Sequence, residues 1–446
     1  MTVSETIVAL ATPPGRGGVG VIRISGPAVS AIAKIVLKKL PIARHATFTN
    51  FYSSTNEMID QGIALFFPAP NSFTGEDVLE LQGHGSPAAI EQLIESIVAS
   101  GARLARPGEF SERAFLNQRM DLLQAEAVAD LIHAASKQAA KNAMQSLQGV
   151  FSQKIYQLRD QMIQLRLRIE AEIDFTEEEI DFLEDHTIQN HLTDILSTLQ
   201  QIQKTAQQGR LLREGITLVI SGEPNVGKSS LLNALSKRDT AIVTAIPGTT
   251  RDILREYIQI DGLPIHLIDT AGLRESDDPI EQEGIRRAKL EIEKADLILY
   301  VSDTKTGSPR LHAQQVREDG LKTIYIRNKI DLTNEAPSVQ NENENIIISL
   351  SAQTGAGLEL LEQTIKSEFG ISENVEGLYS ARQRHLEALA RAEKYVQQGA
   401  QHVAKSSREL LADDLREAQK ALNELTGEFT SDDLLGEIFS SFCIGK

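Results

Sequence analysis

At 446 residues, with 41% hydrophobic and 24% charged side chains, the chain exceeds one ordinary core, so two or three globular domains are expected. A formal net charge of −17 excludes tight, nonspecific nucleic-acid binding by the whole surface, but not by a local basic site. The longest apolar runs, such as LILYV at 297–301, are too short to span a bilayer, and Glu5 stands where a signal peptide carries Lys or Arg. A single cysteine, Cys443, excludes an internal disulfide framework, and the expected compartment is cytoplasmic.

Residues 1–118 mix short apolar runs with Gly and Pro: ETIVALAT, VGVIRIS, GIALFFP and DVLELQGHG read as strands. AAIEQLIESIVASG (88–101) reads as a helix with Ile90, Leu93, Ile94 and Ile97 on one face and Gly101 as its stop. This predicts a compact α+β domain. GRGGVG (15–20) matches G-x-G-x-x-G, but a strand follows it instead of a helix, so we read a tight inter-strand turn and no dinucleotide site.

From Asp121 to about Leu212 there is no Pro, and Gly occurs only at 149 and 209. Leu122, Leu123, Val128, Leu131 and Ile132 recur at helical spacing, as do Ile188, Leu192, Ile195, Leu199 and Ile202. Between these helices, EAEIDFTEEEIDFLED (170–185) carries nine acidic residues in sixteen and reads as a solvated turn. Two Arg-rich stretches, Arg159/Arg166/Arg168 and Arg382/Arg384/Arg391/Lys394, read individually as solvated helix faces.

Strands return at Gly215: ITLVISG, IHLIDTAG, LILYVSD, KTIYIRNKID and NIIISLSA, with helical patterns between them. That alternation predicts a parallel sheet covered on both faces. From Ser380 the chain is helical again. SSRELLADDLREAQKALNELTG has a Ser cap at 407, Leu410, Leu411, Leu415, Leu422 and Leu425 inside, and Gly427 as a stop. The expected architecture is multidomain. An α+β domain occupies 1–118, helices occupy 119–213, an α/β domain spans 214–375, and 376–446 completes the helical domain that the α/β domain interrupts.

GEPNVGKSS (222–230) lies between an apolar strand and a helix and fits G-x-x-x-x-G-K-[ST] in the context that motif requires. Its backbone N–H groups and the helix N-terminus suit phosphates. Lys228 would reach the β and γ phosphates and Ser229 would ligate Mg²⁺. GTTRD (248–252) offers a Thr for the metal and γ-phosphate. Asp269 of DTAG is the carboxylate behind the metal, and Gly272 can sense the γ-phosphate through its N–H. Asp331 of NKID can accept from the guanine ring N–H and the exocyclic amine together, a donor pair that adenine lacks, so the ligand is GTP. Ser351 and Ala352 fit the loop that approaches guanine O6. Small regulatory GTPases orient the attacking water with a Gln after DTAG; here that position is Leu273. Spacing alone leaves Glu275, Asp277, Asp278, Glu281 and Glu283 open as substitutes. The tract NEAPSVQNENENI is polar and reads as freely variable.

The ordered set GEPNVGKSS, IPGTTRD, DTAGLRESDDPIEQEGI, NKID and terminal FCIGK resembles the TrmE-type (MnmE) family of tRNA modification GTPases. TIVALATPPGRGGVGVIRISGP and PGEFSERAFLNQRMDLLQAEAVADLI resemble it equally closely, so the likeness covers the whole chain. It implies a Ras-like P-loop G domain inserted into an all-α helical domain, after an N-terminal folate-binding-like domain that mediates homodimerisation. It implies K⁺ held by Asn225 with backbone carbonyls of Thr244, Ile246 and Thr249, Mg²⁺ held by Ser229 and Thr250, and a catalytic water oriented by Glu281. The GTP-contacting set it implies comprises Asn225, Val226, Gly227, Lys228, Ser229 and Ser230 in the phosphate loop. It continues through Thr244, Ala245, Ile246, Pro247, Gly248, Thr249 and Thr250, then Asp269, Thr270, Ala271 and Gly272, and closes with Asn328, Lys329, Asp331, Ser351 and Ala352. It further implies a 5-formyl- or 5,10-methylene-tetrahydrofolate lined by Arg23, Glu80, Arg119 and Lys446, with Cys443 beside the one-carbon unit as nucleophile, acid or anchor. The implied activity is K⁺-stimulated GTP hydrolysis that, with the flavoprotein MnmG (GidA), installs a carboxymethylaminomethyl-type group on the wobble uridine of certain tRNAs. Two rivals remain open: a GTP-gated switch in ribosome assembly, and a folate enzyme of metabolism with a regulatory GTPase.

Overall fold

The computed structural model describes residues 5–174, 185–238, 255–269, 295–304, 322–342, 345–371, 378–403, 407–428, 432–443 and 445. Contacts divide the chain into two compact units. One comprises Met1–Ala129, Ser146–Leu196 and Arg391–Lys446; the other comprises Asp130–Gln145 and Ser197–Ala390.

In the first unit, β1 (Ile7–Leu10), β2 (Gly17–Ser25), β3 (Thr47–Tyr52), β4 (Met58–Phe67), β5 (Val78–Gly85) and β6 (Arg103–Leu104) form a sheet of order β3-β4-β5-β2-β1-β6. Its pairs are antiparallel except β1 with β6. Helices α1 (Val29–Val36) and α2 (Pro87–Ala99) cover one face, where Ile24, Ile32, Val36, Leu79, Leu81, Leu93 and Ile97 make the core. Only Leu93 and Ile97 of the expected α2 stripe are fully buried; Ile90 and Ile94 pack at its margin. β1 and β2 do form an antiparallel pair, as the rejection of a dinucleotide site requires. Of the GRGGVG glycines, Gly15 lies in the connection between the two strands at φ 127°, whereas Gly17 and Gly20 lie in β2 at a bulge opposite Gly85 and Gly83 of β5. The sequence pattern did not register β3, whose residues TFTNFY bury only Phe51 fully.

Helix α3 (Glu109–Leu116) follows, then α4 (Leu122–Ile132), α5 (Lys137–Leu147), α6 (Val150–Asp174) and α7 (Asp185–Glu214). Within the first unit, α6 packs against α11 (Arg408–Thr426). The seam is a helical-period stripe: Ile155, Leu158, Met162, Leu165 and Ile169 on α6, Leu411, Leu415, Ala418, Leu422 and Leu425 on α11. Leu410, expected inside, is 50% exposed because it stands off that stripe. Ser407 is the N-cap by position, but its side chain makes no cap hydrogen bond, whereas Gly427 ends the helix in the left-handed region at φ 86°. Arg166 donates to Gln419 at 2.6 Å and Arg408 pairs with Glu172 across the same seam. Most of the acidic 170–185 stretch lies outside the described residues.

In the second unit, β7 (Ile216–Gly222), β8 (Arg255–Ile260), β9 (Leu263–Asp269), β10 (Leu297–Asp303), β11 (Thr323–Asn328), β12 (Ser338–Glu342) and β13 (Asn345–Ser349) form a sheet of order β12-β13-β11-β10-β7-β9-β8. The five central strands are parallel, as the alternating pattern predicts. Both edges are antiparallel additions, β12 on β13 and β8 on β9. β12 lies in the tract read as freely variable; its residues SVQNE are almost wholly exposed, so no apolar alternation betrays it. Helix α8 (Lys228–Arg238) leaves the sheet after β7, and α9 (Leu358–Glu368) packs Leu358, Leu361 and Ile365 into the same core. Helix α10 (Gln383–Val403) and the terminal α12 (Asp432–Ser440) complete the described elements.

Buried Asp130 ties this unit together. Its carboxylate accepts from Arg213 at 2.7 Å, from Arg382 at 2.9 Å and from Ser380 at 2.6 Å. Much of the basic character of the two Arg-rich stretches is likewise spent internally. Arg159 pairs with Glu428 and Asp160, Arg166 with Glu170, Arg391 with Glu424 and Arg382 with Asp130. Among the described residues, no helix is long and apolar enough to cross a membrane.

Candidate nucleotide-binding site and N-terminal charge pair

The phosphate loop leaves the C-terminal end of β7 and enters α8, where a parallel sheet presents its ligand site. Apolar β7, with Ile216, Leu218, Val219 and Ile220 buried, fixes where that loop starts. Asn225 and Gly227 both adopt left-handed backbone conformations, at φ 65° and 101°. A Cβ on Gly227 would lie 2.3 Å from the Asn328 amide nitrogen, so glycine is required there for close approach as well as for backbone freedom. The Lys228 ammonium donates to the Gly222 and Glu223 carbonyls at 2.7 and 2.8 Å, which holds it across the mouth of the loop. Ser229 and Ser230 follow in the first turn of α8, both exposed, and Val226 is buried beneath the loop.

Three loops converge through one buried side chain. Asn328, 2% exposed at the end of β11, donates from its amide nitrogen to the Val226 carbonyl at 2.9 Å. Its amide oxygen accepts from the Ala352 N–H at 3.0 Å. Lys329, in the left-handed region at φ 68°, reaches back to the Asn225 carbonyl at 2.6 Å and lies 3.7 Å from Asp303. The buried Ser351 hydroxyl donates to the Asp331 carboxylate at 2.5 Å, orienting it. Asn225, Val226, Gly227, Lys228, Asn328, Lys329, Asp331, Ser351 and Ala352 thus form one connected set. A phosphate-wrapping loop stands at one end and an aimed carboxylate at the other.

The backbone of Asp269 ends β9, which pairs with β7. Thr244, Ala245, Ile246, Pro247, Gly248, Thr249, Thr250, Thr270, Ala271, Gly272 and Glu281 lie outside the described residues. So does Lys446, though Cys443 and Gly445 are described, Cys443 as an exposed thiol.

In the first unit, Arg23 of β2 and Glu80 of β5 are direct cross-strand partners and form an ion pair at 2.8 Å. The Arg23 guanidinium lies 5.5 and 5.8 Å from the ring centres of Phe73 and Phe110 and donates to the Gly445 carbonyl at 3.3 Å. Arg119 stands exposed after α3, its side chain beside Gly75. A second charged group underlies this site and was missed in the sequence reading. Glu109 accepts from Arg103 at 2.6 Å, from Arg113 at 2.9 Å and from the Arg106 N–H at 2.9 Å; Arg113 also reaches Glu76. Burial pushes the Glu109 carboxyl up, but those donors outweigh it and hold it at about 2. Its sequence signals were the i, i+4 pairing of Glu109 and Arg113 in GEFSER and the i, i+3 spacing of Arg106 and Glu109.

The sheet order, the phosphate loop and the Asp331–Ser351 pair define a P-loop protein that reads guanine nucleotides. Two family models match the chain, "GTP-binding protein TrmE N-terminus" over residues 6–119 and "MnmE helical domain" over residues 122–443. The tRNA modification GTPase MnmE of Coxiella burnetii (strain RSA 493 / Nine Mile phase I) is 56% identical over 448 residues, covering 99% of both chains. That of Proteus mirabilis (strain HI4320) is 54% identical over 454 residues, covering 100% of both. Among solved structures, Aquifex aeolicus Era bound to GDP and AlF4⁻ is 29% identical over 40% of this chain and 66% of its own, at a TM-score of 0.27. The G domain of the T. maritima FeoB iron transporter is 28% identical over 35% of this chain and 98% of its own, at a TM-score of 0.26. The chain belongs to the MnmE (TrmE) family of tRNA modification GTPases. Its helical-domain match runs on both sides of β7–β13, so the G domain is an insertion into the helical domain, after the N-terminal α+β domain.

Proposed function

We propose that the protein hydrolyses GTP and couples that cycle to modification of the wobble uridine of certain tRNAs. The observation that carries this reading is Asn328. One buried amide fixes the phosphate loop to the loop of Ala352, an arrangement in which Lys228 and Asp331 would face a single nucleotide. Lys228 would exchange its two carbonyl partners for the β and γ phosphates, which lowers the cost of developing charge there. Asp331, oriented by Ser351, would accept from both guanine donors.

Mg²⁺ would be held by the hydroxyls of Ser229 and Thr250 and K⁺ by Asn225 with carbonyls of Thr244, Ile246 and Thr249. The donor types suit hard cations, and Asn225 is exposed while its own carbonyl is fixed by Lys329. These ions supply positive charge at the transferring phosphoryl group. Glu281 would orient the attacking water. In the N-terminal domain, Arg23, Glu80, Arg119 and Lys446 would line a site for 5-formyl- or 5,10-methylene-tetrahydrofolate; the Arg23–Glu80 pair offers both a cation and an acceptor. Cys443, an exposed thiol, would stand beside the one-carbon unit as nucleophile, acid or anchor. The domain limits we favour are 1–118, 119–213, 214–375 and 376–446. The working form is a cytoplasmic homodimer with the flavoprotein MnmG, which would bring the flavin and much of the tRNA surface, and the group installed is of the carboxymethylaminomethyl type.

The test is mass spectrometry of tRNA nucleosides from cells lacking the protein, complemented with the parent chain, Asp331→Asn or Cys443→Ser. Loss of the wobble aminomethyluridines, restored by the parent alone, is expected. Unchanged nucleosides in the deletion strain would overturn the tRNA role and turn attention to ribosome assembly. Restoration by Cys443→Ser would reduce the thiol to an anchor. Replacing K⁺ by Na⁺ should slow GTP turnover; equal rates would remove the K⁺ assignment.

A further inference from the structure

The described residues after α12 are held against the N-terminal domain. Phe439 of α12 and the following Phe442 are 2% and 5% exposed, with ring centres 5.3 Å apart, and pack with Leu122, Ala125 and Phe115. Beyond them the backbone approaches the N-terminal domain at two glycines. Gly108, the residue before α3, takes φ 68°, and its N–H points at the Cys443 carbonyl at 3.4 Å. A Cβ there would lie 2.4 Å from the Phe439 carbonyl oxygen and 3.0 Å from the Phe442 Cβ. Gly445, at φ 93° and buried, faces β1: a Cβ on it would lie 2.3 Å from the Leu10 carbonyl oxygen, and its own carbonyl accepts from Arg23. Between these two contacts Cys443 is exposed.

We propose that Gly108 and Gly445 are positioning residues. Each removes a side chain so that backbone can lie on backbone, and together they hold the C-terminal segment on either side of Cys443. Separations under 3.0 Å to carbonyl oxygens cannot be relieved by turning a flexible side chain. Substitution at either glycine must therefore move the segment or the strand and helix beneath it. The seat stands on this geometry; only its effect on tRNA depends on the function proposed above.

Because Cys443 is the only cysteine, a nitroxide placed on it in the full-length chain reports this segment alone. The parent should give an immobilised spectrum. Gly108→Ala and Gly445→Ala should each lose the immobilised component. Gly101→Ala is the control: Gly101 has φ 105°, so alanine is strained there too, but nothing lies within 4 Å of its Cβ, and its spectrum should match the parent. Gly445→Ala keeps the test decisive if Gly108→Ala fails to fold, since it alters only the segment itself. Parent-like spectra for Gly445→Ala, a mobile parent, or loss of the immobilised component in Gly101→Ala would each overturn the seat. For the functional arm, GTP turnover should be kept and wobble modification lost in both variants. Full modification alongside a freed spectrum would overturn the positioning role while leaving the proposed tRNA function intact.

Discussion

The phosphate-loop region and the N-terminal charge pair are built by opposite means. The first is shaped mostly by backbone, and backbone geometry is set by neighbours in the chain. Nine consecutive residues after one apolar strand therefore specify it, and Asn328 needs only to clip the loops together. The second is made of single side chains brought together only through strand register and a returning tail. Arg23 meets Glu80 across 57 residues and Gly445 across 422. A contiguous site is robust to everything except its own residues. A dispersed site depends on every element that sets its register.

The largest effect should come from the contiguous site. Asp331→Asn exchanges a carboxylate that accepts two hydrogen bonds for an amide that points one donor at another, at a cost of about 3 kcal/mol, or roughly 100-fold in GTP affinity. Xanthine carries a carbonyl where guanine carries its amine, so xanthosine triphosphate should bind the variant better than GTP. Titration with both nucleotides checks this, and unchanged GTP affinity would break the base-reading assignment. Next comes a dispersed cluster. Asp130→Ala leaves Arg213 and Arg382 without their shared carboxylate and Ser380 without its acceptor, and should cost about 3 kcal/mol in stability. Denaturant titration measures that, with GTP affinity in the folded protein little changed; if affinity fell as far as in Asp331→Asn, the two kinds of site would not be separable.

The same contrast governs what could be read from the sequence. The parallel strands β7, β10, β11 and β13 are runs of buried apolar residues, and the motif residues follow from their ends, so fold and nucleotide site were legible together. The edge strands β8 and β12 were not. β12 is almost wholly exposed and lacks the periodicity that marks a strand, while β8 buries Ile258 and Ile260 in an alternation too short to stand out; pairing with a neighbour makes each of them a strand. Only the start of the GRGGVG stretch lies in the turn: a bulge opposite two β5 glycines lets the later glycines continue a strand where composition suggests a turn. Arg23 and Glu80 carry no local signature at all; the family resemblance named them, and strand register brings them together. Glu109 went unnoticed because its partners come from three separate positions, and only Arg113 shares its helix.

Glu109 sharpens the comparison through pH. Its folded-state carboxyl titrates near 2, below the ordinary value of 4.5. The stabilisation from its ionised form is therefore fully present above 4.5 and is lost as pH falls toward 2. Glu109→Gln should destabilise the N-terminal domain by on the order of 2 kcal/mol at neutral pH. It should also flatten the decline of stability between about pH 5 and 2, because its own titration has been removed. Equal acid sensitivity in parent and variant, followed by circular dichroism, would show that Glu109 does not govern it.

The smallest effect tests how self-sufficient the contiguous site is. The Ser351 hydroxyl acts through Asp331, 2.5 Å away, by holding one carboxylate oxygen. Ser351→Ala removes a single charge-assisted hydrogen bond but leaves Asn328 bonded to the Ala352 N–H, so the loop keeps its place. The expected cost is about 1 kcal/mol, roughly fivefold in GTP affinity, with the preference over xanthosine triphosphate unchanged. A loss as large as that of Asp331→Asn would mean that the carboxylate cannot aim itself and that base reading is a two-residue device. No loss would mean that the left-handed turn at Lys329 and the 3₁₀ turn after it, Ile330–Leu332, already point Asp331 at the base. In that case the contiguous motif alone would fix the specificity, with no contribution from a side chain 20 residues away.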